Sequence, residues 1–182
     1  MMLRSLLVMS VCVAVTPAWP QARPDPVETM LEALKVAPSE EAAQALEGKI
    51  RRRWFEGGSK VAALLMGRGM RDLAAHAEQE AVDDFNDVLV LEPTLTDAYH
   101  RRALARSAMG AYAGALVDVQ EAWRREPRHV AALQSLSRMA EQREDYRGAL
   151  AAWKKVLELS PKTPGGDERL KMLMKKVFGE ES

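Results

Sequence analysis

Apolar positions step by three, four and one along most of the chain, and no segment alternates cleanly at period two. That spacing puts apolar side chains on one stripe of an α-helix, so the pattern predicts helices and no strands. The clearest stripes run through Ala81, Val82, Phe85, Val88 and Leu89, through Ala115, Leu116, Val119, Ala122 and Trp123, and through Ala149, Leu150, Trp153, Val156 and Leu157. Successive stripes are offset by 34 residues, as are Pro93, Pro127 and Pro161. Each proline ends the helix before it, because it lacks an amide hydrogen and clashes with the preceding turn. Tyr112 matches Tyr146 and Gly114 matches Gly148 at the same offset.

The flanks depart from this period. Ser39 before Glu40 and Glu41 predicts an N-cap and an acidic first turn. Ala43, Leu46, Ile50 and Trp54 give that helix its apolar face. Gly57 and Gly58 end it, and Ser59 is placed to cap the next. A shorter amphipathic turn covers Val27 to Val36, ahead of Pro38. Residues 23–58 are therefore read as a linker and an N-terminal helical cap. At the other end Gly165 and Gly166 precede a helix at Asp167–Phe178 with Leu170, Leu173 and Val177 on one side, a C-terminal cap within 164–182.

Three phased copies of this pattern resemble the tetratricopeptide (TPR) repeat, a helix–turn–helix unit of about 34 residues. The units fall at 62–95, 96–129 and 130–163, within 59–163. The family's first large residue lands on Leu65, Tyr99 and Leu133, and its small residue on Gly69, Ala103 and Ser137. Its later alanine lands on Ala81, Ala115 and Ala149, and its aromatic on Phe85, Val119 and Trp153. The resemblance implies an all-α fold, a short right-handed α-solenoid of three units with capping helices. One unit cannot bury both of its faces, so neighbours must stack. The family's leucine slot departs from the pattern, holding Arg68 and Arg102 before Leu136, and its later tyrosine slot holds Asp72, Arg106 and Ala140. The stems of Arg102 and Arg106 are expected to pack while their heads reach water.

Residues 1–22 read as an export signal. Arg4 supplies the positive start, Leu6 to Val15 an apolar run too short to span a membrane, and Pro17 and Pro20 a break. Cleavage after Ala18 and cleavage after Ala22 both remain open. The expected location is a bacterial periplasm. Cys12, the only cysteine, lies inside this run, so the mature chain would carry none. The competing readings are a lipid anchor on Cys12, with Val11 where a small residue is wanted, an uncleaved anchor, and a misassigned start ahead of a cytoplasmic protein.

Charge and chemistry narrow the function. Lys and Arg total 26 and so do Asp and Glu, which leaves no basic excess for nucleic acid. Phosphate-loop, nucleophile-elbow and haem-attachment motifs are absent from the sequence. His76, His100 and His129 stand 24 and 29 residues apart, so they form no helical metal pair. Asp83 and Asp84 are expected to be solvated. The sequence is read as a binding module without catalytic residue, cofactor or metal.

The resemblance implies that the first helices of successive units line a concave groove for a protein or peptide partner. It places Met66, Met70 and Leu73 there from unit one, Asp97, His100, Arg101, Leu104 and Ser107 from unit two, and Gln134, Arg138 and Glu141 from unit three. The subset of the family that grips C-terminal carboxylates would need Lys and Asn where this chain has Met66, Met70, Arg101, Ala131 and Ser135, and only Arg101 could serve. An adaptor or assembly factor is the expected function, and a permanent structural subunit or self-associating scaffold the alternative.

Overall fold

The computed structural model describes residues 25–55 and 58–179, so the export signal expected at 1–22 lies outside the described residues. The described chain is helical throughout, with no strand. Helices α1 (Pro26–Lys35) and α2 (Glu40–Phe55) precede three helical pairs. These are α3 (Lys60–Ala74) with α4 (Glu78–Leu91), α5 (Thr96–Ala108) with α6 (Tyr112–Arg125), and α7 (Val130–Gln142) with α8 (Tyr146–Leu159). The last helix, α9 (Gly166–Phe178), packs on α8.

The repeat is written into the backbone as well as into the side chains. Each turn between paired helices passes through one left-handed residue: His76 (φ 59°), Gly110 (φ 78°) and Glu144 (φ 60°). These stand 34 apart, and only the middle one is glycine. Histidine and glutamate accept the strained conformation because the turn is tied down around them. The amides of Ala77, Ala111 and Asp145 bond back to the carbonyls of Asp72, Arg106 and Ala140 at 2.8, 2.8 and 2.9 Å.

Two features carry the packing. Small residues let paired helices touch, as where Gly69 lies against Phe85. Buried ion pairs join the pairs where the sequence departs from the family pattern. Arg68 Nε donates to both oxygens of Asp84 at 2.9 and 2.7 Å. Arg102 and Arg106 both donate to Asp118, at 2.6 to 2.9 Å. Asp84 is buried, contrary to the solvated position expected of it, and Arg68, itself exposed, reaches down to pair with it. Arg102 and Arg106 likewise send their heads to a buried carboxylate rather than to water.

The N-terminal hairpin is where the structure differs most from expectation. As a cap it would cover α3. Phe55 at the end of α2 does pack on the α3–α4 cluster, but α2 also packs on α5 and α1 on α8, and Val61 and Leu64 of α3 stay exposed. Leu31, Leu34, Ala43 and Ile50 share one core with Val130, Leu133, Trp153 and Leu173. Periodicity shows that a helix has an apolar face, but it does not say which surface that face will meet.

Candidate functional site

The inner face of α5 and α7 carries a buried polar chain. Asp97 and His100 project from α5 one turn apart, Ser135 and Arg138 from α7, and His129 sits at the α7 N-cap. His129 Nδ1 accepts the amide of Ala132 at 3.2 Å, which leaves its proton on Nε2. That atom faces Asp97 Oδ1 at 3.5 Å. Ser135 Oγ accepts from Arg138 Nη2 and lies 3.1 Å from His100 Nε2. Donating its hydroxyl there leaves the His100 proton on Nδ1, which is 4.0 Å from the same Asp97 oxygen. Asp97 Oδ2 accepts from Arg101 Nε at 3.2 Å.

The charge states follow from burial and neighbours. Burial pushes the His100 imidazole down to about 3, and the nearby His129, Arg101 and Arg138 act in the same direction while Asp97 opposes them. For Asp97, burial favours the neutral acid, but the facing His129 imidazole and the Arg101 charge outweigh it and hold the carboxyl below its usual range. A neutral His100 thus leans on an ionised aspartate. The ligand-type atoms of Asp97, His100 and His129 lie within 4.8 Å of one another, which is close enough to surround a cation. Their proton count argues otherwise. Both ring nitrogens that face Asp97 carry hydrogens, and His129 could free its own only by giving up the cap bond. The spacing in sequence excludes a metal pair on one helix and says nothing of rings from different helices. The fold brings the His100 and His129 rings to 5.1 Å between centroids.

Helix α2 covers this chain. The Trp54 ring stacks on His129 at 4.6 Å between centroids. Further along, Glu47 Oε1 accepts from Ser160 Oγ at 2.9 Å. Burial raises the Glu47 carboxyl, with Ser160, Arg51 and Thr163 partly offsetting it. At the rim Arg128 Nη1 donates to Glu28 Oε2 at 2.6 Å, and Ser59 N to Glu92 Oε1 at 3.1 Å.

The predicted groove residues divide accordingly. Met66 is fully buried with Ala62, Phe85 and Leu95, and Leu73 packs half-buried against the same cluster. His100 is buried beneath the hairpin's edge, so neither Met66 nor His100 reaches a partner in this conformation. Met70 is 37% exposed, Arg101 and Leu104 are half-buried, and Arg138 is exposed. Sequence reasoning passed over His129, Trp54 and Glu47. The position of His129 just before Val130, at a unit boundary, was its one signal as a cap. Trp54 and Glu47 gave none, because their partners stand 75 and 113 residues away.

Together these features define an α-helical repeat protein whose α5 and α7 face is partly covered by its own N-terminal hairpin. No family model matches the chain. A curated TPR repeat-containing protein of Rhizobium etli is 24% identical over 156 residues, covering 86% of this chain and 76% of its own length. Among solved structures, the first TPR of Spaghetti (RPAP3), bound to an HSP90 peptide, superposes with a TM-score of 0.62 at 19% identity over 65% of this chain and 94% of its own. The Sgt2 TPR domain from Aspergillus fumigatus gives 0.60 at 23% identity, over 69% and 86%. The MamA protein gives 0.60 at 13% identity, over 84% and 81%. The three helical pairs have the fold of tetratricopeptide repeats.

Proposed function

We propose that this protein is an exported protein–protein interaction module, an adaptor or assembly factor of a bacterial envelope, that binds a protein segment along the inner face of its repeats. The observation that carries the reading is the open part of that face. Met70 and Leu104 present apolar surface, and Arg138 adds positive charge at the hairpin's edge, in a cleft shared with Glu47 and Arg51. TPR domains of the same fold hold peptides, as the HSP90 peptide on Spaghetti illustrates. The role is binding without catalysis. An even charge balance suits a protein partner better than nucleic acid. Export rests on the apolar start of the sequence. Among the described residues no helix is long and apolar enough to cross a membrane.

In-cell photo-crosslinking tests this in the native host, with the reactive residue at Leu104 on the inner face or at Val117 on the exposed side of α6. A specific heterologous product from Leu104 alone is expected. Arg138→Glu is then expected to weaken that partner by about tenfold, a loss of roughly 1.4 kcal/mol. Products from Val117 only would overturn the groove reading. A second reading, a permanent structural subunit or self-associating scaffold, is favoured by the exposed side chains of Val61, Leu64, Val90 and Val117. The mass of the protein in solution separates the two.

A further inference from the structure

The hairpin α1–α2 occupies the inner face in the manner of a ligand. Leu31 and Leu34 from α1, and Ile50 and Trp54 from α2, stand at helical spacing and enter the wall formed by α5, α7 and α8. Recognition of an amphipathic helix in a groove uses this same arrangement of anchors. Two polar contacts fix its register, Glu47 on Ser160 and Glu28 on Arg128.

The contact is also incompletely satisfied. Among the described residues, six buried side-chain polar atoms lack a hydrogen-bond partner: Asp97 Oδ1, His100 Nδ1, Trp123 Nε1, His129 Nε2, Thr163 Oγ1 and Arg169 Nε. Asp97, His100 and His129 form the chain under Trp54, and Thr163 lines the cleft beside Glu47. Covering such groups without bonding them costs free energy that uncovering returns. A permanent core would be expected to satisfy them or exclude them. A cover that exchanges with another ligand tolerates them, because it must come away.

We propose that α1–α2 is an internal occupant of the groove, displaced by a partner that is itself an amphipathic helix, with an aromatic ring for His129 and a carboxylate for Ser160. This rests on the groove reading above and names the class of its partner. The hairpin's own grip defines that chemistry: an aromatic face over an imidazole, aliphatic side chains against Val130 and Leu133, and one acid where Ser160 donates.

The test uses the full chain and a labelled synthetic peptide of residues 26–55. Trp54→Ala removes the ring over His129. Glu28→Lys, at the exposed rim, breaks the Arg128 pair and leaves the core intact. Circular dichroism checks that both variants keep their helix content. Loosening the internal occupant raises the fraction of open groove, so both variants are expected to bind the peptide more tightly than the parent, Trp54→Ala by about tenfold or more. Native-state hydrogen exchange on the parent is expected to show α1–α2 amides exchanging ahead of those in α5 and α7. Equal peptide affinity in all three chains, or no binding by any, would overturn the proposal, as would α1–α2 exchanging only together with α5 and α7. The groove reading survives each of these results if Leu104 still crosslinks a partner, and falls separately if only Val117 does.

Discussion

Gly69 shows how one residue's size is dictated by its neighbour. A β-carbon there would lie 2.9 Å from the Phe85 ring, so the glycine and the phenylalanine specify each other. The same two slots in unit two hold Ala103 and Val119, both fully buried, a larger residue answered by a smaller one. His100 illustrates a charge state set in the same way. Its ordinary value of 6.5 falls to about 3 in the fold, chiefly through burial. Between those values the unfolded chain binds a proton that the folded chain does not, so stability falls as pH falls through that window. Asp97, with its lowered carboxyl, adds the same sign below its ordinary value of 3.8, while the raised Glu47 carboxyl works in the opposite sense. The charged groups around His100 are Asp97 and Arg101 on α5 and Arg138 on α7, with His129 and Trp54 closing the site. The urea midpoint is therefore expected to drop between about pH 7 and about pH 4.5, and His100→Gln to flatten that slope.

At the scale of elements, the three helical pairs solve one packing problem in two ways. Units one and two cross between helices with a buried aspartate, Asp84 or Asp118, gripped by Arg68 or by Arg102 and Arg106. Unit three has Leu136, Ala140 and Ala152 in the equivalent places and packs without charge. Removing one partner of a buried pair strands the other. Asp118→Ala is expected to cost about 2–4 kcal/mol in urea unfolding, at the lower end for a buried pair because both guanidiniums are partly exposed. Transplanting unit three's solution, Arg102→Leu with Arg106→Ala and Asp118→Ala, is expected to recover most of that loss, since apolar replacement of a buried ion pair is often neutral. A triple variant no more stable than Asp118→Ala alone would show that the charged network does something the apolar version cannot.

Over the whole molecule, the hairpin changes what kind of object the array is. A bare repeat array is held by neighbours alone, each unit touching the next. Here Glu47 reaches Ser160 across 113 residues and Glu28 reaches Arg128 across 100, so the chain's beginning is fastened to its second and third units. Leu173 of α9, fully buried, belongs to the same core as Leu34 and Ile50. Leu173→Ala is expected to cost about 2–5 kcal/mol, as truncations of buried leucine do. Because that core spans both ends of the chain, the variant is also expected to speed exchange of α1 amides; an effect confined to α8 and α9 would show that the ends are uncoupled.

The amino-acid sequence by itself determined the helices, their period and their caps. Side-chain spacing within one helix, proline stops, and capping by Ser39 and Ser59 act over a few residues, and the structure reproduces both caps at 3.2 and 3.3 Å. It also determined which faces are apolar, from Phe85 to Leu173. Only the tertiary structure decided where those faces go. The sequence showed Ile50 and Trp54 as the apolar face of an N-terminal cap, and in the fold that face meets an apolar wall on units two and three. It placed His100 in an open groove, but Trp54 and His129 closed over it. Such contacts join residues 29 to 113 apart, and the free energy that selects among them comes from the total area and polar groups buried, a property of the assembled surface that no local pattern encodes.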